Sequence, residues 1–382
     1  PVTYPGYALL FISLVGMLLD PRGAYRKLLH SKMLKRGALL IAMLFGMYAP
    51  NVNGAYAADK SGDVKARYLP QETAEQFGNL FILYNNRICP MQTFAIDFTK
   101  KLYGADSYKG LTAEQVLTGW IFWGDDWMNE PMLKIKGGEM KNTLQLPDYV
   151  SANTFFNKEM GGYTIGPYVK EYYDGNHDKF NTQAVAIDDK IQLLVNLQRG
   201  VVLKIFPYTQ QGKTTWLAPT DEQPQTMSLQ NKRFIKSVLA LLYNEAEAKN
   251  YKQMDEIVGK LQKYQASNAG TSLPTASQVA AERTYNDIPF ANNLFMLCLT
   301  MGFVTFMYTV ARLCRKCRTG NSFDTHADII IVWLSRGIML AAFISLSYCE
   351  YLRWTISGTL PMANGYETML FVTWIVMLVS LA

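Results

Sequence analysis

The sequence predicts a polytopic α-helical membrane protein of about five transmembrane helices, with a large mixed α+β extracytoplasmic domain inserted between spans two and three. Three observations predict it. Over 382 residues the net charge is +6 and the mean hydropathy is -0.02, values that would suit a soluble protein, yet the apolar runs concentrate near both ends. From about Asp59 to Asp287 the chain is instead polar, charged and aromatic, as an aqueous domain is. Lys and Arg, finally, collect in two short loops, the mark of the cytoplasmic side. The expected organisation is residues 1–58 as two spans, 59–287 as the outer domain and 288–382 as the start of a second membrane region.

A spanning helix needs roughly 20 mostly apolar residues. The first run, "YALLFISLVGMLL" after Pro5, reaches that length only with its flanks. The second, "GALLIAMLFGMYAPNVNGAYAA", follows a basic stretch and ends in Ala55-Tyr56-Ala57, which looks like a signal-peptide cleavage site; an apolar run precedes it, so an uncleaved span is expected. Phe290 to Ala311 and Ile329 to Cys349 are full-length spans, and a fifth starts near Tyr366 and runs to Ala382. With no initiator Met and an apolar run at each end, the chain reads as a fragment cut at both ends.

Orientation follows from the basic loops. Arg22, Arg26, Lys27, Lys32, Lys35 and Arg36 lie between spans one and two, and Arg312, Arg315, Lys316 and Arg318 between spans three and four. Both are expected in the cytoplasm. In a bacterium this places the protein in the inner membrane with residues 59–287 in the periplasm, where Tyr348, Tyr351 and Trp354 form an interfacial aromatic belt.

About 230 residues suffice for a core of their own. "LFILYNNRICP" reads as two strands around a tight Asn85-Asn86 turn, and Thr93 in "TFAIDFTKKLYG" is expected to cap a short helix. Thr112 and Gln115 have capping-box spacing. A helical hairpin follows, with Val238, Leu241 and Leu242 on one face and Met254, Ile257, Val258 and Leu261 on the next. "QASNAGTSLPTASQ" reads as a linker before the third span.

Candidate chemistry is sparse. Cys89 is the lone cysteine of the outer domain and is expected to be buried and inert. Cys314 and Cys317 form a C-x-x-C without a second ligand pair, so no metal site is expected. His30, His177 and His326 sit in basic or polar loops and read as solvated rather than ligating. No catalytic triad, phosphate loop or zinc-protease motif occurs, and nothing points to nucleic acid. Arg336 lies inside the fourth span, where it either snorkels to the cytoplasmic interface or acts as counter-charge for an acidic ligand such as a haem propionate.

"GTLPMANGYETMLFVTW", Gly358 to Trp374, resembles a pattern near the start of the CcsA family, the haem-handling membrane component of system II cytochrome c biogenesis. Pro361, Asn364, Tyr366, Glu367, Phe371 and Trp374 match in register, with Ala363 and Thr368 as small or hydroxylated replacements. "YPGYALLFISLVGMLLDP" is similar to the last span of a ResB-like module, and the outline to a fused synthase. The resemblance implies delivery of haem across the membrane and its attachment to a C-x-x-C-H apocytochrome c. The implied partners are haem, apocytochrome c, membrane lipid and a thiol-reducing protein. It implies that the parent protein is a haem lyase, this fragment alone being inactive. The family's Trp-rich haem loop is missing: "FWGDDWMNE" shares letters with it, but Trp123, Asp125, Asp126 and Trp127 lie in the outer domain and read as a surface or packing feature. No histidine matches a family ligand position. The alternatives are a membrane-anchored extracytoplasmic binding or scaffold module for an assembly partner, without catalysis, and half of a transporter.

Overall fold

Proline and asparagine set the first turns among the described residues. Pro70 precedes α1, Gln71–Gly78, and β1, Phe81–Tyr84, then pairs with β2, Arg87–Pro90, in antiparallel register from Phe81 opposite Pro90 to Tyr84 opposite Arg87. Asn85 and Asn86 adopt φ of +48° and +60°, the left-handed pair that a two-residue hairpin requires and that asparagine tolerates best after glycine. The computed structural model describes residues 64–157, 162–288, 290–319, 326–360, 362 and 365–381. Spans one and two, the first basic loop and His30 lie outside these residues.

The helix after β2 is longer than the sequence suggested. α2, Met91–Tyr103, starts directly behind Pro90 and ends at Gly104, whose φ of +92° gives the left-handed C-terminal turn. Thr93 is therefore not its cap: it lies buried in the first turn, with its hydroxyl committed elsewhere. α3, Ala113–Phe122, does begin with the expected capping box, Thr112 accepting from the Gln115 N–H and Gln115 from the Thr112 N–H. α4, Gly124–Trp127, continues from it.

Short elements then wrap this helical layer. β3, Leu133–Lys134, pairs with β4, Tyr149–Val150, around α5, Glu139–Thr143. A 3-10 turn, Ala152–Phe155, leads to β5, Phe156–Asn157, paired with β6, Gly162–Tyr163. α6, Gly166–Tyr173, and α7, Lys179–Gln198, follow, the second capped by Asp178. β7, Phe206–Gln210, and β8, Lys213–Leu217, form a fourth two-stranded ribbon. The described residues are thus mostly helical, and their strands form separate antiparallel ribbons instead of one sheet.

α8, Leu229–Glu247, and α9, Tyr251–Asn268, make the expected helical hairpin. Val238, Leu242, Met254, Ile257, Val258 and Leu261 are buried, but Leu241 is exposed, one helical step off the buried stripe. The linker is shorter than the sequence suggested. Gln265 belongs to α9 and is buried, accepting from the Phe81 N–H at 3.0 Å and donating to the Phe81 and Ile205 carbonyls at 2.7 and 2.8 Å. One side chain thereby satisfies backbone groups beside two ribbons, which buried peptide groups require.

The core of this part is apolar and aromatic. Trp120, Trp127, Tyr108, Phe77 and Phe98 are fully buried, and a Cβ at Gly119 would collide with the Trp127 indole. Trp127 donates to the Arg67 carbonyl at 2.9 Å. Glu130, also buried, accepts from the N–H groups of Lys65 and Ala66 at 2.8 and 3.2 Å and from the Tyr108 hydroxyl at 2.9 Å. These bonds tie the first described residues to the core.

Four helices complete the chain: α10, Ala276–Asp287; α11, Phe290–Thr319; α12, His326–Ser357; and α13, Gly365–Leu381. α12 packs against the other three, and α10 also touches α2. Among the described residues, one helix carries a window long and apolar enough to cross a membrane, Met296–Leu313 in α11, and α13 is a shorter apolar helix.

Candidate functional site

The sequence motif converges on the place where α10, α12 and α13 meet. α10 starts with a second capping box, Thr275 with Gln278, and presents two polar side chains one turn apart. The first, Glu282, is buried and faces β2 and α2. It accepts from Arg87 through both oxygens at 3.0 and 2.7 Å and from the Thr93 hydroxyl at 2.8 Å. Asn286 donates to the same hydroxyl oxygen at 3.0 Å. A buried carboxylate needs such a complete set of donors.

The second, Tyr285, faces α12. Arg353 donates from Nη1 to the Tyr285 hydroxyl at 2.9 Å and from Nη2 to Glu367 Oε1 at 2.5 Å. Its guanidinium also lies over the rings of Tyr285 and Tyr366, 5.2 and 5.3 Å from their centroids. Beneath this group Ala281, Cys349 and Leu352 are buried with Tyr285, Leu294 and Ile356 against them. Glu350, one turn before Arg353, has both carboxylate oxygens buried with no hydrogen-bond partner, and Arg353 Nε is in the same condition. Two carboxylates therefore share the neighbourhood of one guanidinium, and only Glu367 is paired with it.

Further along, Trp374 holds α13 against α12. Its indole N–H donates to Ser347 Oγ at 2.8 Å, and its ring stacks on Phe343 and Phe371 with centroids 5.4 and 6.0 Å apart. Three residues of the sequence motif thus meet α12, Tyr366 and Glu367 at Arg353 and Trp374 at Ser347 and Phe343, while Phe371 stacks on Trp374 within α13. The side chains of Pro361 and Asn364 lie outside the described residues. Glu367 is the third residue of α13, so the helix dipole favours it there while Arg353 neutralises it. Sequence reasoning missed Arg353, Glu350 and Tyr285. The signal for Glu350 and Arg353 was a charged pair three residues apart in "YCEYLRW", a spacing that puts both on one helix face.

Arg336 is exposed on α12, 17 residues before Arg353, which at the helical rise is about 25 Å away. Tyr348, Tyr351 and Trp354 are exposed, as an aromatic belt requires. Trp123 donates to Glu247 at 2.7 Å and stacks under Arg67, which pairs with Asp126 at 2.6 Å. With Trp127 in the core, "FWGDDW" is a packing feature with a surface ion-pair rim. Cys89 is buried and its thiol bonds weakly to the Ile82 carbonyl; burial pushes its pKa up to about 12, so it stays a thiol.

Among the described residues no group of three or more His, Cys, Asp and Glu side chains is placed to hold a metal ion. His177 is exposed, packed edge-on against Tyr172. The side chains of His326, Cys314 and Cys317, like His30, lie outside the described residues.

A curated relative matches the whole chain. It is the protein NrfI of Wolinella succinogenes, 24% identical over 396 residues, an alignment that takes in 100% of this chain and 42% of the relative. The chain thus spans less than half the length of that relative. No family model matches it.

Proposed function

We propose that the chain is part of a larger membrane protein of cytochrome c biogenesis, a system II type synthase that delivers haem across the membrane and helps attach it to a C-x-x-C-H apocytochrome c. The observation that carries this reading is that residues matching the CcsA pattern lie where α13 meets α12: Tyr366 and Glu367 against Arg353, and Trp374, with Phe371 stacked on it, against Ser347 and Phe343. The end-to-end similarity to NrfI, itself more than twice the length matched, supports a larger parent protein. On this reading the five-span arrangement holds, residues 59–287 are periplasmic, and the partners are haem, apocytochrome c, lipid and a thiol-reducing protein.

The chain's own contribution is positional. Haem would supply the vinyl groups that form the thioether bonds. Arg353 fixes the start of α13 by pairing with Glu367, and Trp374 fixes its middle, so whatever α13 carries or precedes is held at one angle to α12. Orientation of this kind lowers the cost of bringing two reactants into register.

The test is Glu367→Gln in the whole parent protein, expressed with a C-x-x-C-H acceptor in a strain lacking its own maturation system. Covalent haem on a denaturing gel should fall at least about tenfold, the expected consequence of losing a charge-assisted contact worth about 1.5–3 kcal/mol, while the protein accumulates normally. Wild-type haem attachment would leave the Arg353 pair as a fastening of two helices and remove the support for the reading.

A further inference from the structure

A groove in the outer domain carries charge that the architecture does not use. Lys100 and Lys101 at the end of α2, Lys134 and Lys136 around β3, and Lys190 on α7 surround a space of about 660 Å³, and no acidic residue is among those lining it. Its floor is apolar, built from Ile135, Met140, Ala186 and Ile187. The walls are positioned on purpose by backbone geometry. A Cβ at Gly104 would strike the Lys134 side chain, so the left-handed glycine that ends α2 also lets that side chain lie across the groove.

The lysines crowd one another. Lys190 donates to the carbonyls of Leu102 and Lys134 at 3.2 and 2.7 Å, and its own pKa falls to about 8, chiefly through burial and then through Lys136, Lys134 and Lys101. No carboxylate pairs with Lys101, Lys134, Lys136 or Lys190 among the described residues; the nearby Asp148 is bound to Lys141. Asp97 near Lys100 and Asp148 near Lys134 offset only part of this charge, and an excess of like charge destabilises the empty site and favours an anion that enters it. The volume lies within the range of small-molecule sites, which combine an apolar lining with a few polar groups.

We propose that this groove binds a small amphiphilic anion, its carboxylate or phosphate groups meeting the lysines and its apolar body lying on Ile135, Met140, Ala186 and Ile187. The ligand comes either from a lipid headgroup or from the aqueous phase. The inference does not depend on the haem-attachment reading.

Titration calorimetry on the full chain in phosphatidylcholine nanodiscs tests it. Dihexanoyl phosphatidic acid should bind saturably, with one site per chain, and weaken as salt is raised. Dihexanoylglycerol and inorganic phosphate, each lacking half of the recognised chemistry, should bind at least about tenfold more weakly. The exposed pair K134Q/K136Q should lower the affinity about fivefold or more with an unchanged circular dichroism spectrum. Loss of the titration signal in nanodiscs doped with phosphatidylglycerol assigns the ligand to the bilayer, and an unchanged signal assigns it to the aqueous phase. Equal binding of the glycerol or of inorganic phosphate, no saturable binding, or wild-type affinity in the lysine variant overturns the proposal.

Discussion

The body around Trp120 and the helical end are held by opposite means. Around Trp120 and Trp127 the chain relies on close-packed rings, and the polar group within reach, Glu130, has its donors in place. Where α10, α12 and α13 meet, the buried apolar group is small and the contact depends on Arg353 with Glu367, while Arg87 with Glu282 holds α10 to β2. Apolar packing is forgiving of direction, whereas bidentate and charge-assisted bonds specify one. The first region is built to be stable and the second to be oriented.

The comparison breaks first at Glu282. Glu282→Ala leaves Arg87 and Thr93 without their shared acceptor; the Arg87 side chain is 43% exposed, so water takes over part of its hydrogen bonding and the loss is about 1.5–3 kcal/mol. Thermal unfolding in nanodiscs should show α10 released at lower temperature than the body around Trp120. A single unchanged transition would mean that packing, and not the ion pair, holds α10. Gly119→Ala probes the other side: with no room against Trp127, overpacking costs about 1–3 kcal/mol, read as a lower midpoint with near-ultraviolet Trp dichroism altered.

The smallest effect sharpens the polar exception inside the core. Burial alone would raise the Glu130 pKa, but the Lys65 N–H, the Tyr108 hydroxyl, Lys109 and the Ala66 N–H together hold it below the usual value. A carboxyl depressed in the folded state contributes stability that is present above its unfolded pKa and is lost as pH falls through the folded value. Unfolding midpoints should therefore drop on acidification below about pH 4.5, the ordinary glutamate range, and Glu130→Gln should flatten that slope. An equal slope in the variant would place the acid sensitivity elsewhere.

Sequence reasoning reached the local structure well where one residue type decides it. Asn85-Asn86 had to take left-handed conformations, and Thr112 with Gln115 had to cap, because neighbours in sequence make those bonds. It misplaced Thr93 and Gln265, whose partners Glu282 and Phe81 lie 189 and 184 residues away. Leu241 misled for a different reason: an apolar residue at a boundary position fits the periodic stripe without being buried. For the candidate site, the motif residues were legible but Arg353 was not. Its meaning depends on Tyr285 and Glu367 arriving from two other helices.

α10 grips the outer domain through Glu282 and α12 through Tyr285, three residues later, which is about 4.5 Å along one helix. So short a lever has no room to bend between its two holds. Were the outer domain to swivel as a partner docks on it, the turn would reach Arg353 as torque, and Arg353 would have to choose between Tyr285 and Glu367.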